Sequence, residues 1–373
     1  MTRWRALGLL AAAELAGMSV WFGASAAAPA LAAQWGFGVA DAGRLTLAVQ
    51  LGFVLGTLVS AVANLSDVFR ARHVFAVSAL LAAIANAAFA LFSAGPEAGL
   101  SLRFATGFFL AGVYPPGLKM MASWFREGRG LALGVLIGAL TLGKASPYLV
   151  NAVGSADWRV NLIALSFLAV AGGAIALFVG DGPFATGTAP FDFRQVAYVF
   201  RNRGVRLASY GYFGHMWELY AMWTWAPVMI RASLERTGSP RGLAEAASFL
   251  VIGSGAVGCV AAGLLADRYG RTWVASAAMA VSGACCLAVG FLFGGSAAAL
   301  LAIAVVWGAS VVADSAQFSA CVTELADPRY VGTALTLQIC LGFLLTTASI
   351  ALVGRLSETV GWRWAFAALA PGP

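Results

Sequence analysis

Gly263-Leu264-Leu265-Ala266-Asp267-Arg268-Tyr269-Gly270-Arg271 lies between two long apolar stretches. A degraded copy, Ala63-Asn64-Leu65-Ser66-Asp67-Val68-Phe69-Arg70-Ala71-Arg72, lies between two others. The aspartates of the two copies stand 200 positions apart. Trp158-Arg159 returns as Trp362-Arg363 after 204 positions, and Gly130-Leu131-Ala132-Leu133 has a weaker echo in Gly332-Thr333-Ala334-Leu335 after 202. A nearly constant offset of half the chain marks an internal duplication.

Hydrophobic residues make up 61% of the chain and charged residues only 10%, with a mean hydropathy of +0.84. A soluble domain carries roughly 25% charged residues, so this chain is solvated by lipid. At about 20 apolar residues per crossing, spans are expected near 6–32, 42–63, 74–94, 98–122, 130–152, 160–180, 207–230, 243–266, 273–293, 297–321 and 331–354. A twelfth opens at Trp362 and stops at Pro373, too short to cross, so the last helix is expected to be incomplete. The stretches are too long and too continuously apolar for the alternating strands of an outer-membrane barrel. The first also exceeds the apolar core of a signal peptide. The expected fold is an all-α membrane protein. A six-helix bundle spans 1–180, a cytoplasmic central loop spans 181–206, and a second bundle spans 207–373. Within the loop, 191–200 is expected to form a short helix on the membrane surface.

The net charge of +7 invites a nucleic-acid reading, but its distribution argues against one. Arg3, Arg5, Arg70, Arg72, Arg126, Arg129, Arg194, Arg201, Arg203, Arg206, Arg268, Arg271 and Arg329 fall on one side of the alternating spans. Arg44, Arg159, Arg231, Arg236, Arg241, Arg355 and Arg363 fall on the other. This excess puts the N-terminus and central loop in the cytoplasm. The expected macromolecular partner is the bilayer, with no nucleic acid. The alanine-rich, linker-poor composition suggests a bacterial inner membrane. Cys259, Cys285, Cys286, Cys321 and Cys340 all lie inside expected spans, without metal-ligand spacing, and read as packing residues.

The quoted loop resembles the best-known signature of the major facilitator superfamily of secondary transporters, carried here by Gly263, Leu265, Ala266, Asp267, Arg268, Gly270 and Arg271. The first copy keeps Leu65, Asp67 and Arg72 but has Ala63 and Arg70 where the signature has glycines. Arg103-Phe104-Ala105-Thr106-Gly107 resembles a second family signature, Arg-x-x-x-Gly. Gly138 and Gly143 partly match the antiporter signature, but Lys144 stands where a proline follows the glycine, which weakens any inference of antiport. The resemblance implies two bundles, related by a pseudo-two-fold axis, that rock about a site near the bilayer midplane. It also implies a latch from Asp67, Arg72, Gly263, Asp267, Arg268, Gly270 and Arg271. In that latch an aspartate meets arginines and a helix N-terminus of the opposite bundle and holds the cytoplasmic side shut. The alternative for these loops is a turn with solvated, topology-setting charges.

An ionisable group in a span costs roughly 2.5–3.5 kcal/mol and is by default a functional candidate. Six stand out: Glu14, Arg103, Lys144, His215, Glu218 and Asp314. Glu14 shares a face with Met18, Trp21 and Ser25, and either loads a proton or balances a cation on a neighbouring helix. Lys144 shares a face with Thr141, Tyr148 and Asn151, and either binds an anionic substrate or neutralises a carboxylate such as Glu14. His215 and Glu218 are three apart and are expected to touch, forming a proton relay. Trp217 lies beside them, while Trp223 and Trp225 fit an interfacial belt. Asp314 shares a stripe with Trp307, Ser310 and Gln317, and serves either proton coupling or a structural ion pair. Arg103 cannot deprotonate, so it biases a carboxylate or holds an anion. The proton-coupling candidates are therefore Glu14, His215, Glu218 and Asp314. The substrate candidates are Arg103, Lys144, Tyr148, Trp21, Trp217 and Gln317.

These readings point to a proton-coupled secondary transporter of a small organic solute, leaning toward an organic anion or amphipathic metabolite. It is expected to be a monomer without cofactor or metal. A proton-driven drug efflux pump and a non-transporting receptor or assembly protein of the same fold remain alternatives. No nucleophile–base or metal constellation suggests an enzyme. The nitrate and nitrite carriers of the superfamily use arginines inside helices two and eight, and 45–63 and 243–266 contain none.

Overall fold

Inside a bilayer the backbone must satisfy its own hydrogen bonds, and the apolar runs accordingly become helices. The structure, a computed structural model, describes residues 1–36, 38–154, 157–185, 201–239, 241–327 and 331–373; the side chains of Val39, Ala40, Ser66, Asp67 and Arg241 also fall outside the description. The expected surface helix at 191–200 lies outside the described residues.

The first half of the chain forms α1 (Arg3–Met18), α2 (Gly23–Ala26), α3 (Ala28–Trp35), α4 (Val39–Val62), α5 (Leu65–Val68), α6 (Ala71–Phe92), α7 (Pro96–Leu110), α8 (Tyr114–Trp124), α9 (Arg129–Val153) and α10 (Trp158–Leu177). The second forms α11 (Arg203–Arg236), α12 (Arg241–Tyr269), α13 (Arg271–Ala288), α14 (Ala297–Ser310), α15 (Ser315–Leu325), α16 (Val331–Thr359) and α17 (Trp362–Ala365). No strand occurs among the described residues. Eight helical segments there are long and apolar enough to cross a membrane, so this is a multi-pass membrane protein.

Within the first half, α1 packs on α8, α9 and α10, α6 on α7 and α10, and α4 on α7. Within the second, α11 packs on α15 and α16, and α14 on α12 and α13. Two seams join the halves, α9 against α12 and α4 against α16. The duplication that relates α4 to α12 also relates α9 to α16, so each seam is the symmetry copy of the other.

Three expected spans are interrupted. The span near 6–32 breaks at 19–22, between α1 and α2. The span near 98–122 breaks at 111–113, where Pro115 and Pro116 follow Tyr114. Prolines suit a first turn because their missing N–H groups have no intrahelical partner there. The span near 297–321 breaks at 311–314, an offset of about 200 from the second break. The short final helix α17 continues into a 3-10 turn, Phe366–Leu369, and packs Phe366 edge-on against Trp307 at 5.0 Å between centroids.

The first break is held from inside. Arg103 donates through Nη1 to the carbonyl of Val20 and to Asn86 Oδ1, each at 3.1 Å, and through Nη2 to the carbonyl of Trp21. Asn86 Nδ2 in turn donates to the Leu162 carbonyl and to Ser166 Oγ, both at 3.0 Å. The break at 19–22, α6, α7 and α10 thus share one buried polar knot. Removing one partner of such a knot leaves a buried donor unanswered, at a cost of about 1–3 kcal/mol per group. Asn86→Leu should therefore lower the apparent melting temperature of the detergent-solubilised protein by several degrees, while Leu91→Ala on the exposed, lipid-facing side of the same helix should leave it within a degree or two.

Candidate functional site

Lys144 is the centre of the molecule's interior. Gly143 beside it lets α9 come against the backbone of α1 at the Leu15 carbonyl, where any side chain would collide. Lys144 is 2% exposed. Its ammonium donates to the Tyr220 hydroxyl. It lies 3.9 Å from the centroid of Trp21, 4.6 Å from that of Tyr220 and 5.2 Å from that of Trp223. An ammonium within about 6 Å of a ring centroid is attracted by the negative face of the ring. Three rings around one cation form a cage, and the cage draws on both halves of the chain. Trp21 stands in the break after α1, where the Arg103 knot fixes its carbonyl. Tyr220 and Trp223 stand on α11, three apart on one face.

A wider ring belt closes round the cage. Phe53 stacks on Phe343 at 4.5 Å and meets Trp21 edge-on at 5.1 Å, and Phe343 lies 5.0 Å from Tyr220. Trp223 was expected in the interfacial belt and is instead 1% exposed, as is Trp225. Both face the seam between the halves, where an indole finds more ring and backbone contact than it would against lipid. Tyr148, one turn from Lys144, is also buried.

Glu14 is fully buried. Neither of its carboxylate oxygens has a hydrogen-bond partner among the described residues. The carboxylate points at the first turn of α8, into the space that a side chain at position 117 would fill; Gly117 leaves it open. Glu14 and Lys144 are within electrostatic reach of each other, but no ion pair joins them. The interior therefore holds a buried acid and a buried base within electrostatic reach, the base held by aromatic rings and the Tyr220 hydroxyl, the acid without a hydrogen-bond partner among the described residues.

The second half answers differently. His215 and Glu218 were expected to touch and do not, because a spacing of three turns them about 60° apart on the helix and each finds its own neighbours. His215 Nδ1 lies 2.7 Å from Asp314 Oδ1, as an ion-pair contact without the alignment of a hydrogen bond. Asp314 is the N-cap residue of α15, inside the 311–314 break. Glu218 Oε1 instead accepts from Trp307 Nε1 at 2.5 Å, Ser282 Oγ at 2.6 Å and Cys286 Sγ at 3.0 Å. Cys286 is thus a polar partner as well as a packing residue.

Three of the expected substrate residues stand apart from the cage. The terminal nitrogens of Arg103 are committed to protein oxygens. Trp217 donates its indole N–H to the Ala368 carbonyl at 3.1 Å, on the side facing the final turn. Gln317 accepts from Arg271 Nη1 at 3.2 Å. Gln50 and Gln338, which the sequence reading passed over, are fully buried with both side-chain polar atoms unpartnered among the described residues. Gln50 lies on α4 one turn from Phe53 of the ring belt and one turn from Thr46, whose hydroxyl meets Ser25 at 2.9 Å.

The loop motif meets the opposite half at the end where the chain begins. Asp267 Oδ2 accepts from the Leu131 backbone N–H at 3.4 Å, in the first turn of α9. Gly130 and Gly263 meet backbone to backbone beneath it. Gly270 has φ +90°, a value glycine adopts without strain, and turns the chain into α13. Arg271 holds Glu324 in a forked contact of 2.7 to 3.2 Å and so ties α13 to α15. Arg268 lies over Tyr269 at 5.1 Å, and Arg72 is the second residue of α6. The Asp67 side chain lies outside the described residues. At the other end, Trp225 fills the gap between Gly43 and Gly354 and donates to the Ile350 carbonyl at 2.8 Å. Trp225 thus bridges the two halves at that end, as the Asp267–Leu131 contact does at the other.

A model of the Major Facilitator Superfamily matches residues 9–349. Among solved structures, a crystal structure of a mutant of the nucleoside transporter NupG is similar, with a TM-score of 0.72 at 15% sequence identity, over 98% of this chain and 96% of that one. At that identity the likeness is one of fold. No curated protein matches the sequence.

An anion at a helix N-terminus is worth about 0.3–1 kcal/mol, and up to ~2 kcal/mol when partly buried. Asp267→Asn should therefore loosen the α9–α12 seam by a factor of roughly 5 in the closed-to-open ratio. The readout is alkylation of Cys259, which is 2% exposed in that seam, in a background with the other four cysteines replaced. The rate should rise by about that factor.

Proposed function

The chain belongs to the major facilitator superfamily, and from that membership we propose that it is a proton-coupled secondary transporter, carrying a small organic solute across a bacterial inner membrane by alternating access. The observation that carries this reading is the burial of Glu14 and Lys144 within electrostatic reach of each other. One is a buried carboxyl without a protein partner, and the other is a buried ammonium held by side chains of both halves.

The chemistry is a competition for Lys144. With Glu14 ionised, the ammonium is attracted to the carboxylate, on its own half of the chain. With Glu14 protonated, that attraction is gone and the ammonium is free to hold a substrate anion against the rings of α11. Binding of proton and solute then favour one another, and the two bundles rock about the loaded cage with Asp267 as the latch at the cytoplasmic end. The His215–Asp314 pair is a second proton-exchanging group in this scheme, at the broken helix of the other bundle. The excess of arginine at the end where the chain begins supports a cytoplasmic N-terminus.

A second reading, a proton-driven drug efflux pump, is favoured by the same unpartnered carboxylate, since a cationic amphipath would pair with Glu14. The sign of the transported solute separates the two. A nucleoside, for which the similar structure is named, serves as the uncharged control in that panel.

The test is proton movement in proteoliposomes containing a pH-sensitive dye, driven by gradients of organic anions, organic cations and nucleosides. The wild type should move protons with an anion. Glu14→Gln should retain solute exchange and lose at least about 90% of the coupled proton flux, the size of effect expected on losing a positioned proton-transfer group. Lys144→Ala should lose solute exchange itself. Unchanged proton coupling in Glu14→Gln would sink the mechanism.

A further inference from the structure

The cage specifies more than the presence of a solute. Resting on the transporter reading above, we propose that the substrate is a flat, conjugated monoanion: one negatively charged group on an aromatic body that also carries hydrogen-bond acceptors.

The single charge follows from a count of what is free in the site. Lys144 is a cation without a carboxylate partner; its contacts are a phenol hydroxyl and three ring faces. The next nearest buried cation in that half, Arg103, has its terminal nitrogens committed to the carbonyls of Val20 and Trp21 and to Asn86. It lies behind the backbone that presents Trp21. A second negative charge would find no second free buried cation among the described residues of that half. A cationic solute meets a cage whose aromatic faces already hold a tethered ammonium.

The flat body follows from the shape of the belt. Trp21, Phe22, Phe53, Tyr220, Trp223 and Phe343 pack with centroid separations of 4.5 to 6.5 Å. Aromatic pairs at such distances attract one another beyond what area burial gives. A ring that parts this stack regains those contacts on both its faces; a saturated body does not.

The acceptors follow from unanswered donors. Trp21 Nε1 and Trp223 Nε1 are buried without a hydrogen-bond partner among the described residues. Both indoles also form walls of the Lys144 cage. Gln50, a turn from Phe53, adds an amide with both of its polar atoms unpartnered. Buried polar groups are rarely left unpaired, since each has given up its bonds to water. Two indole donors beside one ammonium, with the Gln50 amide a turn from Phe53 of the belt, are an arrangement that a carboxylate with ring oxygens completes.

The experiment is equilibrium binding by calorimetry to the purified full chain, with six probes. Benzoate and indole acetate carry one carboxylate on a flat ring. Benzamide is the uncharged isostere of benzoate, phthalate has a second carboxylate, cyclohexanecarboxylate has a saturated ring, and benzylamine has the opposite charge. At least one aromatic monocarboxylate should bind about 10-fold or more tighter than benzamide, phthalate or benzylamine, the discrimination expected where a buried charge-assisted bond is lost. It should bind roughly 3-fold or more tighter than cyclohexanecarboxylate, on the strength of ring stacking alone. Lys144→Met should abolish the charge preference. Trp223→Phe keeps the ring and removes the N–H, so it should weaken binding several-fold at an unchanged melting temperature; this variant tests the cage even if Lys144→Met is poorly folded. Equal binding of benzamide, tighter binding of benzylamine, or no binding of either aromatic acid overturns the monoanion. Proton-coupled flux of benzamide or benzylamine would overturn it too while leaving the transporter reading intact. Selective binding of the aromatic acid without flux would do the reverse.

Discussion

A helix that stops partway across a bilayer leaves carbonyls with nothing to bond, and the fold depends on how those carbonyls are answered. At the end of α1 the answer is Arg103. Its guanidinium takes the carbonyls of Val20 and Trp21 and anchors itself on Asn86, which is itself bonded to α10. Without that knot the break at 19–22 would be unsatisfied polar backbone in an apolar core, at several kcal/mol per group. With it, the chain can leave the helix, and Trp21 reaches the one place where its ring covers Lys144. The arginine acts on the site through backbone, and the charge that remains open to chemistry is the lysine.

The duplication repeats the backbone and changes the side chains. The break at 111–113 and the break at 311–314 are copies, and so are the positions of Glu14 and His215, 201 apart. Each places one titratable group of a first helix against the broken fourth helix of its bundle. In the second half a histidine there meets Asp314, and the pair is nearly self-sufficient. In the first half a lone carboxylate meets the open turn at Gly117. The same geometry therefore yields a balanced site on one side and an unbalanced one on the other. That asymmetry is why the proposed proton coupling is given to Glu14 ahead of the His215–Asp314 pair.

Much of this was legible in the sequence, for reasons that differ residue by residue. The loop motif, its 200-position copy and the apolar runs named the architecture because span length and duplication are local or periodic signals. Glu14, Lys144, His215, Glu218 and Asp314 stood out because charge is rare at those depths. Their pairing was not legible. The expected His215–Glu218 contact failed because neighbours on one helix compete with groups arriving from other helices, here Asp314, Ser282, Cys286 and Trp307. Trp223 resembled an interfacial residue because position along a span says nothing about which face meets the other half. Gln50 and Gln338 were passed over because a neutral amide is not conspicuous in a span; the signal lay in their burial without partners, which only packing reveals.

Alternating access requires that a solute distinguish between two arrangements of the halves, since a ligand that contacts both states equally shifts nothing. The cage meets that requirement by its composition. Trp21, Phe53 and Lys144 come from the first half, and Tyr220, Trp223 and Phe343 from the second. In the closed arrangement they contact one another across the seam, so anything that enters must replace contacts that hold the halves together with contacts of its own. A solute touching only one bundle would open the cage and lose that exchange. In the transporter proposed above, one that bridges Lys144 and the rings of α11 would restore it, and its binding energy would be spent on the closure that carries it across.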